Sequence, residues 1–287
     1  MVLKATDVFT PNDYPTHTYI KRSGEDLEER LRQGSATPKL IVSVSGPSKS
    51  GKTVLVERVI GQDNIIAVSG ALIKTPDQLW TRVLDWIETP ATTTTQLQKT
   101  ETEQHTETSG LTGKVPTILE ASGQSAFMHS AATTSSETST VNRSGMMQVV
   151  KEIGDSEFLI FVDDFHYMSR EVQTEVAKQI KAAAERGIRI CVASVPHRAD
   201  DVVRGNPELR GRTANIDTSF WTKEELIGIA EAGFRALNVE ITREEMTAFA
   251  TGACGSPQLM QAICLVGLFL VGHFRGTEVE NVPQNRR

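Results

Sequence analysis

The sequence has little to tie it to an oxidising compartment, a membrane or a broad polyanion surface. Its 287 residues include three cysteines, Cys191, Cys254 and Cys264. None lies in a C-x-x-C pair or at metal-ligand spacing, and all stand in apolar sequence. They read as small buried hydrophobes, not as disulfide partners or zinc ligands. A long apolar run is also lacking. The longest, Ala262 to Phe274, is broken by glycine and falls short of the ~20 residues that span a bilayer, so it reads as a core helix. No secretory leader is recognisable, and a cytoplasmic setting without membrane contact is expected. Positive charge is not in excess either. The formal net charge of −6 argues against a whole-surface nucleic-acid footprint, but a local basic patch, and with it a nucleic-acid partner, stays open.

What the sequence does have is concentrated in Lys39 to Thr53, KLIVSVSGPSKSGKT. An apolar strand, Leu40-Ile41-Val42-Ser43-Val44-Ser45, runs into Gly46-Pro47-Ser48-Lys49-Ser50-Gly51-Lys52-Thr53. This is GxxxxGK[ST], the Walker A phosphate loop, in the strand–loop–helix setting the motif requires. Gly46 and Gly51 permit backbone angles that turn successive N–H groups toward phosphate oxygens. The helix opening at Lys52 and continuing through Val54 adds the positive end of its dipole. Lys52 is expected to reach the β- and γ-phosphates of ATP, and the Thr53 hydroxyl to ligate Mg²⁺.

Downstream, Asn64 to Val68 reads as a second buried strand, and Thr75-Pro76-Asp77-Gln78 opens a helix with a capping box and proline at the first position. At Thr89 the composition changes. From there to about Ser144 the chain is rich in Thr, Ser, Gln and Glu. Both parities are polar, so strands there bury no core; a protruding β-hairpin and a disordered insert are the two readings. Met146, Met147, Val149, Val150 and Ile153 then share one helix face and read as core. Phe158-Leu159-Ile160-Phe161-Val162-Asp163-Asp164 is an apolar strand ending in an acidic pair, the Walker B pattern. Asp163 is expected to hold Mg²⁺ and Asp164 to orient or deprotonate the attacking water. Ser169 caps a long helix through Arg186. The next strand, Ile188 to Ser194, ends in a serine that either touches the γ-phosphate or caps its own turn. A polar arginine-bearing loop precedes a last strand, Ala214 to Asp217. Capping boxes at Thr222 and Thr242 and the Gly255-Ser256-Pro257 start then announce three helices.

This order resembles the AAA+ and STAND superfamily of P-loop ATPases, in particular the origin-recognition-like and signalling branches. The resemblance implies an α/β P-loop fold with a parallel five-stranded sheet in order 5-1-4-3-2 and a small C-terminal helical lid. The expected division is an N-terminal arm at 1–38, an ATPase domain at 39–218 with the insert at 89–145, and a lid at 219–287. By resemblance, Tyr19 and Arg22 pack on the adenine unless that segment is a plain arm, and Pro257 belongs to a Gly-x-Pro element facing the nucleotide. Arg210 and Arg212 match the arginine finger that one protomer of a homo-oligomer inserts into the next, and the insert is a candidate surface for a protein partner. Two departures stand out: Asp164 replaces the usual Glu, and no arginine opens the last lid helix. The expected activity is ATP hydrolysis at protomer interfaces; the alternative is a nucleotide-gated assembly or signalling switch with little turnover.

Overall fold

The structure is a computed structural model describing residues 3–22, 26–89, 92–100, 134–142, 145–195, 209, 211–218 and 221–275. It separates into two compact units, Thr89–Arg143 and the remainder of the chain.

In the larger unit, five strands pair in parallel: β1 (Ile41–Ser45), β2 (Ile65–Ser69), and three further on at Leu159–Asp163, Arg189–Ser194 and Thr213–Asp217. Taken in chain order as 1 to 5, they lie in order 2-3-4-1-5, the expected arrangement read from the other edge. Side-chain alternation along the strands divides the core into two layers. Ile41, Ile160, Val162, Ile190 and Val192 face one side. Val42, Val44, Leu159, Phe161, Cys191 and Ala193 face the other. Helices cover both faces, which is why these strands are nearly continuous apolar runs.

On the second face lie α1 (Leu27–Ala36) and α2 (Lys52–Ile60), through Leu27, Leu31, Leu55 and Val56. On the first face lie α3 (Pro76–Trp86), α4 (Gly145–Ile153) and α5 (Arg170–Ala184). Helix α3 starts as its sequence predicts, with a reciprocal Thr75–Gln78 capping box and proline at the first position. Asp26 caps helix α1, which runs to Ala36 because Leu27, Leu31 and Gly34 are buried against the sheet. In α4, Val149 and Ile153 are buried as expected, but Met147 is 57% exposed and so is not core.

The C-terminal helices are α6 (Lys223–Ala236), α7 (Arg243–Gly252) and α8 (Pro257–Arg275). Both capping boxes form, Thr222 with Glu225 and Thr242 with Glu245. Their core holds Leu226, Ile229, Phe234, Met246, Met260 and Cys264. It also contains Val8 and Phe9, which the sequence alone places in an irregular arm. Phe9 is fully buried, with its ring 5.3 Å from that of Phe234. Gly233 makes room for it: a β-carbon there would stand 2.2 Å from the Phe9 ring. The N-terminal segment is therefore a built part of the helical subdomain. Two other expectations need correcting. Helix α8 is buried along one side only, with Val266 and Leu270 more than half exposed, and Cys254 is exposed, since it sits in a left-handed turn at φ 49°.

The smaller unit contains two antiparallel strands, Thr92–Thr100 and Thr134–Asn142, in register from Thr92↔Asn142 to Thr100↔Thr134. The stretch between them, 101–133, lies outside the described residues. No described helix is long and apolar enough to cross a membrane.

Candidate nucleotide site

The sheet order places the C-terminal end of β1 beside two neighbours, where an open α/β sheet forms its crevice. The phosphate loop occupies that position. Gly51 takes φ 90° at the start of α2, and Lys49 is left-handed at φ 66°, a conformation that costs a non-glycine residue about 1–2 kcal/mol. Gly46 admits no side chain: a β-carbon would fall 2.0 Å from Thr218 Oγ1 and 2.7 Å from Ser50 Oγ. Beneath the loop, the buried hydroxyls of Ser50 and Thr218 bond each other at 2.8 Å, and Thr218 Oγ1 donates to Ser45 O at 3.1 Å. Thr218 follows the last strand in no recognisable motif, so no sequence signal pointed to it.

Lys52 Nζ donates to the loop carbonyls of Gly46 and Pro47, at 3.0 and 2.9 Å. Burial holds its pKa below the ordinary lysine value, an effect partly offset by Asp163 and Asp164. Thr53 Oγ1 donates to Asp163 Oδ2 at 3.1 Å across 110 residues of sequence. The other oxygen, Oδ1, accepts the Asp164 N–H at 2.8 Å, which fixes the carboxylate's orientation. Asp164 itself is left-handed at φ 55°, and its carbonyl closes on Gly70, where a β-carbon would stand 2.6 Å away.

This pair fits a small hard cation. Adjacent oxygens of an octahedron with bonds of about 2.1 Å lie roughly 3 Å apart, the separation the two side chains already show. Among the described residues no cluster of three or more His, Cys, Asp or Glu could hold a metal. Mg²⁺ usually takes one or two protein ligands and fills its shell with water and phosphate, and Thr53 with Asp163 could supply those ligands.

A cavity of about 510 Å³ opens above the loop. Its walls include Ser48, Lys49, Ser50, Gly51, Lys52, Thr53 and Val54 from the loop and α2, and Asp163 and Asp164 from the acidic strand. Tyr19, Arg22 and Pro257 line it too. So do Trp221, Gln258 and Gln261 from the helical subdomain, and residues from Thr10 onward in the N-terminal segment.

Solved structures with this arrangement are known. The chain is similar to Cdc6p from Pyrobaculum aerophilum, with TM-score 0.56, 13% identity and coverage of 96% of this chain and 68% of that one. It is similar to the ORC2 protein of Aeropyrum pernix, described as ADPNP–ADP complexes, with TM-score 0.55, 11% identity and coverage of 94% and 66%. A Walker-type ATPase of Pyrococcus abyssi matches with TM-score 0.53, 11% identity and coverage of 97% and 77%. The chain has the AAA+ ATPase fold. It spans about two thirds of the length of the first two proteins. No family model and no curated protein sequence matches it, and nothing in the comparisons is specific to STAND proteins.

Other expected residues of the AAA+ site fall as follows. Tyr19 donates its hydroxyl to Glu28 Oε1 at 2.8 Å under the Arg58 guanidinium, and burial, then Glu28, pushes its phenol above the ordinary range. Ser194 is buried, its carbonyl accepting the Gly46 N–H at 3.2 Å, while its neighbour Val195 lines the cavity. Arg212 lies away from this cavity, paired on the surface with Glu185. Arg210 lies outside the described residues.

Two lining residues escaped sequence reasoning. Trp221 donates its indole N–H to Ser50 O at 3.0 Å and its backbone N–H to Gly255 O at 3.3 Å, linking the phosphate loop to the start of α8. His166, two residues past Asp164, has a buried Nδ1 with no hydrogen-bond partner among the described residues. The tryptophan carried no motif; the histidine's closeness to the acidic pair was the only available signal.

Proposed function

We propose that this protein binds Mg-ATP and hydrolyses it at the interfaces of a homo-oligomer. The observation carrying the reading is the Thr53–Asp163 hydrogen bond, which joins the two Walker motifs beside Lys52. In this scheme Lys52 leaves the Gly46 and Pro47 carbonyls for the phosphates, and the loop N–H groups enclose them. Thr53 and Asp163 would hold a Mg²⁺, which would supply charge neutralisation at the phosphoryl oxygens. Asp164 orients the attacking water or takes its proton, with Ser194 behind it. Tyr19 and Pro257 bracket the base. The ATPase domain at 39–218 and the lid at 219–287 are the proposed working divisions, with the 1–38 segment packed into the lid core through Val8 and Phe9 and into the sheet core through Leu27 and Leu31, and with the 89–145 insert as a surface for a protein partner.

Arg212, with Arg210 as the alternative, serves a neighbouring protomer. Its side chain is 46% exposed, and its pair with Glu185 is a surface one, of the kind worth about 0–1 kcal/mol and easily exchanged. An arginine arriving from a partner accelerates phosphoryl transfer by about 10³–10⁵. The test is complementation. Arg212→Ala should bind ATP and turn over poorly, and mixing it with Lys52→Ala protein should restore phosphate release. No rescue, with wild-type rates in the arginine variants, would contradict hydrolysis in trans. The second reading is a nucleotide-gated switch with little turnover. It is favoured by the shorter Asp164 in place of glutamate and predicts ATP-dependent assembly without phosphate release.

A further inference from the structure

The first turn of α8, Pro257-Gln258-Leu259-Met260, carries no cation, although Pro257, Gln258 and Gln261 line the cavity. A cation reaches the cavity by another route. Arg22 arrives from the N-terminal segment with a side chain only 16% exposed. Its Nε lies 3.6 Å from Glu225 Oε1, on a side chain 4% exposed. The other Glu225 oxygen is committed to its own helix, accepting from Thr222 N and Oγ1 at 2.8 and 3.0 Å. The guanidinium carbon also sits 5.3 Å from the centre of the Trp221 ring. That ring is bonded to Ser50 O, and its Cζ2 would touch a β-carbon on Gly51 at 4.0 Å. One aromatic ring therefore separates the arginine from the backbone of the phosphate loop.

We propose that Arg22 is a phosphate-facing cation of the nucleotide site, held by Glu225 and Trp221 until a polyphosphate exchanges with Glu225 for it. The proposal rests on the phosphate-loop reading above and assigns Arg22 to the phosphates, not to the base. A guanidinium presents paired donors to phosphate oxygens in a planar fork, and its stacked ring face keeps that fork oriented. Glu225 and the phosphates are both anions competing for one cation, so removing the Glu225 charge should favour the nucleotide. Because Glu225 stands in the first turn of α6, the exchange also loosens the link between that helix and the N-terminal segment when phosphate is bound.

Affinities for ATP and for adenosine, measured on the full chain by displacement of a fluorescent ATP analogue, test this. Arg22→Ala should weaken ATP about tenfold or more, the loss expected for one charge-assisted hydrogen bond, and leave adenosine within about twofold. Arg22→Lys should fall between, because it keeps the charge and loses the fork. Glu225→Gln keeps a capping oxygen, and it should tighten ATP and leave adenosine unchanged. Equal losses for adenosine and ATP in Arg22→Ala would overturn the proposal in favour of a base contact, and unchanged ATP affinity would overturn it outright. If Arg22→Ala melts early, Arg22→Lys and Glu225→Gln decide on the same two ligands. Lys52→Ala separates the two failures. ATP binding retained there sinks the phosphate-loop reading, whereas ATP lost there but kept in the Arg22 variants sinks only this inference.

Discussion

Gly46→Ala places one methyl group where the phosphate loop has least room. The new carbon would stand 2.0 Å from Thr218 Oγ1, 2.7 Å from Ser50 Oγ and 3.0 Å from the Thr218 carbonyl. The two hydroxyls can turn away only by giving up their mutual 2.8 Å bond and the 3.1 Å bond to Ser45 O. Each such bond contributes about 0.5–1.5 kcal/mol net, and forcing extra volume into a packed site costs about 1–3 kcal/mol more. The variant should lose roughly 2–6 kcal/mol of stability by urea unfolding, and its ATP affinity should fall with the displaced loop. Thr218→Ala removes the closest clashing atom, so the double variant should cost clearly less than the two single costs added together. Contacting residues couple by about 0.5–3 kcal/mol in such cycles. Wild-type stability in Gly46→Ala, or strict additivity in the cycle, would refute the reasoning.

Asp164→Asn should keep ATP binding and slow phosphate release strongly, because the amide keeps the shape of the side chain and loses its basicity; equal turnover would move the base elsewhere. Phe9→Ala should lower stability by about 3–5 kcal/mol, since the ring fills the space above Gly233; an unchanged melting curve would detach the N-terminal segment from the helical subdomain. Burial lowers the Lys52 pKa from 10.5, so in the window just below that value the folded state holds fewer protons than the unfolded one. Stability contributed by this group therefore rises with pH there, while the cation offered to phosphate is lost. ATP affinity followed from neutral pH up toward 10.5 should decline in the wild type before it does in Lys52→Arg, whose side chain stays charged.

Much of the candidate site was legible because its chemistry is local in sequence. Gly46 to Thr53 carries its glycines, lysine and hydroxyl within eight positions, and the acidic pair terminates an apolar strand. The sheet order was implied by the family resemblance that the succession of strands and helices carries. Contacts between distant segments were not legible. Val8 and Phe9 are two apolar residues in a polar, proline-containing stretch, and only a cavity shaped by Gly233 explains their burial. Trp221 and Thr218 act through single hydrogen bonds to the loop, which leave no periodicity or spacing to detect. Cys254 read as buried from its apolar neighbours, yet the left-handed turn leading to Gly255 brings it to the surface.

The central claim, a Mg-ATP site built on Lys52, is tested most directly by titrating ATP into wild-type and Lys52→Ala protein with Mg²⁺, following phosphate release on the same samples over a protein-concentration series. The wild type should bind ATP, and its release per protomer should rise with protein concentration as interfaces form. Lys52→Ala should show neither binding nor release. Lys52→Ala protein that binds ATP as tightly as the wild type would contradict the account.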